Sequence, residues 1–278
     1  MTTPLPALIT VLNKRTTRLL GAALFGLLAA GGMVSSIATA QGTAYVPPRT
    51  ADGKPDLQGI WQVLNAANVN ILAHSANSDG PAGPSIVEGG SLPYQEWAIK
   101  KQQENYANRL TLDGERKCHL AGVPRATYLP HPFQIVQTPT MVAVLYEYAH
   151  MTRRIYTNGT PHVEDFEFYL GDSRGRYEGA SLVVDVRNFN DKTWFDRAGN
   201  FHSDQLKVVE RYTRISREHI SYEATIEDPK VFTRPWTIKT LLYRHADPKA
   251  QILDYQCYAF EDATPGLTVP LFRKSTIQ

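Results

Sequence analysis

Apolar and polar residues alternate with a period of two through most of the chain after residue 132, the pattern of strands that bury one face. The alternation predicts strands over 133–137, 141–149, 153–157, 181–187, 206–215, 219–227, 232–244 and 252–260, with shorter extended stretches at Tyr169 and Tyr177-Glu178. Turn chemistry separates them: Thr138-Pro139-Thr140, a hairpin-type Asn158-Gly159, Asp228-Pro229 and Asp247-Pro248. Within 181–187, Leu182, Val184 and Val186 fall on one face, while Val183, Asp185 and Arg187 fall on the other. No helical periodicity interrupts the series, so consecutive strands are expected to pair antiparallel. Roughly eight to ten strands at this spacing curl and close rather than stay an open sheet. The expected fold is mainly β: an antiparallel, up-and-down, lipocalin-like barrel, with a two-sheet sandwich as second choice.

Ahead of the alternation the pattern changes. Residues 41–93 are rich in turn formers, including Pro47-Pro48, Asp52-Gly53-Lys54-Pro55 and a Gly/Ser/Pro/Asn-rich run at 76–84. Between these, 59–63 reads as one short strand. Its Gly59-Ile60-Trp61 triplet is similar to that of barrels in which an indole plugs one end; plain core packing is the other reading of Trp61. The spacing over 93–109 predicts the one helix, with Pro93 suited to its first turn and Trp97 flanked by Tyr94 and Tyr106. Such a helix before a sheet serves as an end-cap or as simple packing. The expected organisation is therefore residues 1–40 as a signal peptide, 41–110 as an irregular arm with one helix, and 111–278 as the barrel.

The signal peptide rests on Lys14, Arg15 and Arg18 ahead of an apolar run at 19–34, followed by Ala38-Thr39-Ala40, which fits a small-x-small cleavage site. A retained membrane anchor is the alternative, because the next charge after Arg18 is Arg49. Cleavage near Ala40 predicts a periplasmic or secreted protein with no stable membrane span after processing. Without the three cations of residues 1–40, the formal charge of +2 falls to −1. A near-neutral body lacks the basic face that nucleic-acid binding needs, so no nucleic-acid partner is expected.

The chain has two cysteines, Cys118 and Cys257. In an oxidising compartment this pair predicts a disulfide tying the segment before the sheet to the last strand; two unpaired buried thiols are the alternative. Closing so long a loop would contribute about 4–5 kcal/mol on the chain-entropy account.

Candidate chemistry follows from ionisable groups on apolar faces. Glu210 shares a face with Leu206, Val208 and Tyr212, and Glu147 shares one with Met141, Ala143 and Leu145. A carboxylate so placed is either ion-paired or raised in pKa by desolvation, and both states suit a general acid or base. The structural alternatives are an inward pair with Arg153, Arg154 or Arg211, or an outer face that happens to be apolar. His202, in the loop before the Glu210 strand, is the expected proton-transfer partner, with His162 a second candidate. A Ser203, His202, Asp191 triad can be drawn, but there is no nucleophile-elbow motif. Expected catalytic residues are His202, Glu210, Glu147 and Asp191; expected substrate contacts are Arg154, Arg211, Tyr146, Trp194 and His162. No His-x-His, His-Glu-x-x-His or Cys-x-x-Cys spacing occurs, and Gly171, Gly175 and Gly179 have no nucleotide-binding spacing, so neither metal nor cofactor is expected.

Several blocks in combination resemble a family of exported bacterial proteins: Asp52-Gly53-Lys54-Pro55-Asp56-Leu57-Gln58-Gly59-Ile60-Trp61, Gly122-Val123-Pro124-Arg125, and Phe133-Gln134-Ile135-Val136-Gln137-Thr138-Pro139. The series continues through Tyr177-Glu178-Gly179, Leu182-Val183-Val184-Asp185, Phe189-Asn190-Asp191-Lys192-Thr193-Trp194, His202-Ser203, Glu210-Arg211, Asp228-Pro229 and Pro235-Trp236. The resemblance spans nearly all the chain after residue 40. It departs from the family's pattern at Tyr177, where tryptophan is usual, and at Ala180, where aspartate is usual. It implies export and a lipocalin-like barrel, and it implies no reaction, since most members have no assigned activity. The functional expectation is a barrel that takes a hydrophobic or aromatic small molecule, as a cofactor-independent lyase, isomerase or hydrolase; the alternative is a non-catalytic carrier of such a ligand.

Overall fold

The strand at 181–187 sits in the middle of a nine-strand barrel. The computed structural model describes residues 45–117, 119–253 and 255. Its strands are β1 (Gly59–Gln62), β2 (Phe133–Gln137), β3 (Met141–Tyr146), β4 (Thr152–Tyr156), β5 (Asp172–Glu178), β6 (Ser181–Arg187), β7 (Lys207–Arg214), β8 (His219–Glu227) and β9 (Trp236–Arg244). They neighbour one another in chain order, and β1 closes the ring by pairing antiparallel with both β2 and β9. The barrel therefore draws one stave from the arm ahead of it.

Alternation sets which side chains fill the interior. Val142, Val144 and Tyr146 of β3, Leu182, Val184 and Val186 of β6, and Val208, Glu210 and Tyr212 of β7 are all buried. They stack with Ile220, Tyr222, Ala224 and Ile226 of β8. Trp61 seals one end: its Nε1–H donates to the Leu57 carbonyl at 2.9 Å, and the Arg244 and Arg214 guanidinium groups lie 4.4 and 5.8 Å from the ring centre. Gly59 sits at φ +135°, a conformation that a side chain strains, and the Arg244 guanidinium lies over it where a Cβ would be.

One pairing departs from expectation. Asn158-Gly159 does not close a hairpin; β5 runs parallel to β4, through Ile155↔Ser173 and Tyr156↔Arg174 only. The physical reason lies in the chain after the turn. No alternating apolar run follows before Ser181, and the fifteen residues between β4 and β5 are long enough to carry the chain back for a parallel partner. The glycine-punctuated stretch before Gly179, expected to be extended only at Tyr177-Glu178, is a full strand. Its Gly175 admits β4 closely, since a Cβ there would lie 2.8 Å from Ile155 Cγ2 and 3.0 Å from Thr157 Cγ2.

The helix α1 (Glu96–Ala107) is followed by a single turn, α2 (Arg109–Leu112). Helix α1 buries Ala98 and Asn105 against the 190–206 loop, where Gln102 Nε2 donates to the Ala198 carbonyl and Asn105 Nδ2 to that of Gly199. Trp97 is half exposed and meets Phe201 edge-on, while Tyr94 packs on Phe201 and Phe232. β9 begins at Trp236 rather than at 232, because Pro235 lacks the N–H a ladder position needs. Of the strand expected at 252–260, Tyr255 makes an isolated parallel bridge to Tyr148. The remainder of that strand, apart from residues 252 and 253, lies outside the described residues, as do Cys118, Cys257 and residues 1–40. No helix among the described residues is long and apolar enough to cross a membrane.

Candidate functional site

The residues expected to act together lie in four separate places. The first is the barrel interior. β7 turns Glu210 inward, where it is fully buried, and β4 turns Arg153 to meet it. Arg153 Nη1 donates to Glu210 Oε1 at 3.1 Å and Nη2 to Oε2, while Arg153 Nε donates to Ser173 Oγ at 3.0 Å. The Tyr212 and Tyr222 hydroxyls each donate to Glu210 Oε1 at 2.9 Å. Burial alone would pull the Arg153 guanidinium down; the Glu210 carboxylate reverses this and holds it well above its ordinary value. Tyr146 lies in the same interior, its phenol pushed up by burial, and its hydroxyl has no partner among the described residues. Glu210 is thus the centre of a closed set of donors.

The second place is the loop between β6 and β7. His202 is buried rather than exposed, with rings of Phe195 and Phe189 5.4 and 5.9 Å away. Its Nδ1–H donates to the Ser203 carbonyl at 2.9 Å, so Nε2 is left to accept from the Thr193 hydroxyl at 2.7 Å. Burial pushes the imidazole below its ordinary pKa. Ser203 turns away from it and donates to Asp228 at 2.9 Å, and Asp191 is exposed. The Ser203, His202, Asp191 triad is not formed. None of the contacts of His202 is with Glu210. Trp194 is buried and bridges Phe201.

The third place is the outer surface. Glu147 follows Met141, Ala143 and Leu145 on the outer face of β3; the inward face is Val142, Val144 and Tyr146. Glu147 lies 3.8 Å from His131 Nδ1 and accepts from the Leu253 N–H at 3.0 Å. Its apolar neighbours are a partly covered exterior, which corrects the expectation of an interior carboxylate. Arg211 also points outward, and donates to Glu178 at 2.7 Å.

The fourth place is a cleft. Beyond their two paired residues β4 and β5 splay, and a cleft of about 620 Å³ opens where Thr152–Arg154 would otherwise run beside Leu170–Asp172. Leu120, Tyr156, Phe168 and Tyr169 give it apolar and aromatic walls, and Arg154 and Arg174 give it charge. Arg153 and Ser173 form its floor, so it reaches the layer that holds Glu210. His162 lines an adjoining hollow of about 300 Å³. Its Nδ1 donates to Asp172 Oδ2 at 2.8 Å and its Nε2 lies 3.6 Å from Asp185, so it clamps the 157–171 connection onto β5 and β6. Of the expected contact residues, Arg154 lines the cleft and His162 the hollow beside it.

Other hollows fit a ligand less well. One of about 680 Å³ beside the Trp61 end is lined by Arg214 and Arg244, but both donate to backbone carbonyls of Asp56, Ser216, Arg217 and Gln58. One of about 840 Å³ is walled by Glu164, Asp165 and Glu167, all exposed.

The largest charged cluster among the described residues was not singled out from the sequence. Arg125, itself buried, donates to both Asp113 oxygens at 2.7 and 3.0 Å, to Glu115 at 2.5 Å and to Asn68 at 2.8 Å; Arg197 grips Glu115 from the other side at 2.7 and 2.9 Å. Burial pushes Glu115 up, but Arg125 and Arg197 outweigh it and bring the carboxyl down to about 2. Arg125 falls in one of the blocks that carry the family resemblance, which was the available signal. Every member is satisfied within the cluster, which joins the arm to the 190–206 loop. Among the described residues, no group of three or more His, Cys, Asp or Glu side chains is placed to hold a metal. The chain matches no family model and no curated protein.

Proposed function

We propose that the protein is an exported barrel that binds a hydrophobic or aromatic small molecule in the cleft between β4 and β5, and that it acts by binding. The observation that carries this reading is the cleft itself: about 620 Å³, with aromatic walls, a few polar groups and a floor that reaches the barrel interior. Acid/base catalysis is the weaker reading. A general acid or base needs an oxygen or nitrogen free to meet substrate, whereas Glu210 is surrounded by Arg153, Tyr212 and Tyr222. His202 is engaged at both nitrogens, and His162 lies between two carboxylates. Export is proposed from Lys14, Arg15, Arg18, the apolar run and Ala38-Thr39-Ala40; a mature N-terminus at Gln41 in the exported protein checks it.

The binding reading is tested with N-phenyl-1-naphthylamine, a neutral aromatic probe whose emission rises in apolar surroundings. A saturable, one-to-one rise is expected. Filling the cleft with Thr152→Phe and Thr160→Phe together should weaken the probe by about tenfold or more, equivalent to about 1.4 kcal/mol, while the variant still unfolds cooperatively. Unsaturable binding, or equal binding by the filled variant, would remove the cleft as the site.

A further inference from the structure

We infer that the ligand of the β4–β5 cleft carries an anionic group, a carboxylate or sulfonate on its aromatic or hydrophobic body, held by Arg154 and Arg174; this rests on the binding reading above. Two arginines at the cleft are left with unfilled hydrogen-bonding capacity. Along the outer faces of β5, β6 and β7 the other arginines are paired: Arg176 and Arg211 share Glu178, and Arg187 holds Asp185. Arg154 stands apart. It points outward from β4 into the cleft and has no hydrogen-bond or ion-pair partner among the described residues.

Arg174 is half engaged. Its Nη2 lies 3.0 Å from Asp172 Oδ1 and its guanidinium 4.9 Å from the Tyr156 ring centre. Its Nε, however, is buried and has no partner. That atom is closed to solvent, so a ligand meets Arg174 through the part of its guanidinium that lines the cleft. The register places the two arginines around one ring: Arg154 lies two residues from Tyr156 on the same face of β4, and Arg174 lies opposite Tyr156 on β5. An aromatic acid can therefore rest its ring against Tyr156 and the Phe168 and Tyr169 walls with its charge toward the two guanidinium groups.

The acidic groups at the cleft do not cancel this. Asp172 already accepts from the His162 ring and the Val163 N–H and pairs with Arg174. Glu167 is exposed at the rim, where water screens it.

The test displaces N-phenyl-1-naphthylamine with two compounds of the same ring, 1-naphthoate and 1-naphthalenemethanol. Naphthoate is expected to displace the probe at roughly tenfold lower concentration than the alcohol, from hydrogen bonds to a charged group. Arg154→Gln should bring the ratio of the two toward one, Arg154→Lys should restore part of it, and Glu167→Gln should raise it. Rising salt should weaken naphthoate more than the alcohol. Equal displacement by the two compounds, or a ratio untouched by Arg154→Gln in a cooperatively folded variant, overturns the anion inference and leaves the cleft as a site for neutral ligands. Failure of the neutral probe to bind, or its indifference to the filled cleft, overturns the binding reading instead.

Discussion

Asp196 shows how one buried side chain can set the protein's response to pH. It has no exposed surface, and its oxygens accept from the Ile71 N–H at 2.9 Å, the Asn200 N–H at 3.2 Å and Asn200 Nδ2 at 2.6 Å. Burial nevertheless dominates and raises its carboxyl from 3.8 to about 6. The native state thus holds this proton more tightly than the unfolded chain. Its contribution to stability is fully present below pH 3.8 and is lost as pH rises from there to about 6. The loss amounts to about 3 kcal/mol, at 1.36 kcal/mol for each pH unit. Glu115 works the other way: lowered from 4.5 to about 2, it stabilises above pH 4.5 and is lost as pH falls toward 2. Asp196→Asn removes the titrating group, so it should flatten the pH 4–6 limb of the urea-unfolding midpoint, while its amide nitrogen, facing an N–H donor in place of one oxygen, lowers stability at every pH. A limb unchanged by the substitution would assign it to another group. At this scale the sequence was legible where period-two parity applies. The inward placement of Glu210 follows from Val208 and Tyr212 flanking it, but its partner among Arg153, Arg154 and Arg211 depended on register with β4. His202 was not legible, because its fate lies in how a loop folds onto Thr193.

Among the elements, the β4–β5 seam is, with β1–β9, one of the two with least ladder support. β7 pairs with β8 from Lys207↔Glu227 to Arg214↔Ile220, whereas β4 and β5 share two register positions. Backbone groups of β4 and β5 that face the splayed part of the seam lack ladder partners across it, and the 157–171 connection over it exposes Phe166, Val163 and Phe168. Hydrogen exchange should therefore open here well before the β7–β8 ladder, with seam-facing amides of 152–156 and 172–174 exchanging about a hundredfold faster than those of β7 and β8. Uniform protection around the ring would show that the seam is as firmly closed as the rest. The seam was hidden in the sequence for a definite reason. Asn158-Gly159 carries the local signal of a hairpin, and that signal describes four residues only. Whether the next strand returns antiparallel depends on the fifteen-residue connection, and Asp172–Glu178 has no apolar alternation to mark it as that strand. By contrast, β2 and β8 end, and β6 begins, where their alternation does, because Thr138-Pro139, Asp228-Pro229 and Gly179 break the chain beside them.

For the whole molecule, closure of the ring depends on four residues from a segment that reads as irregular arm. β1 is bonded to β2 through Gly59↔Ile135 to Trp61↔Phe133 and to β9 through Trp61↔Arg244 and Gln62↔Tyr243. Without it, β2 and β9 would become open edges, and the interior would face water at Trp61, which has no exposed surface. The arm is tied in ahead of β1 as well. The Leu57 N–H donates to Gln137 Oε1 at 2.6 Å, Gln137 Nε2 donates to the Pro55 carbonyl at 3.0 Å, and Leu57 is fully buried. Burying Leu57 and Trp61 contributes roughly 1.5–3 kcal/mol each, a large share of the 5–15 kcal/mol net stability usual for a folded protein. A variant beginning at Val63 should therefore lose cooperative thermal unfolding and bind apolar dye at room temperature, while one beginning at Tyr45 should melt as a single transition. Trp61→Ala within the longer chain should cost about 3–5 kcal/mol, read from urea unfolding. If the shorter variant melted cooperatively at the same temperature, β1 would be a covering strand on a barrel that closes without it, and the 680 Å³ hollow beside Gly59 and Ile60 would have to be reconsidered as the mouth of the barrel.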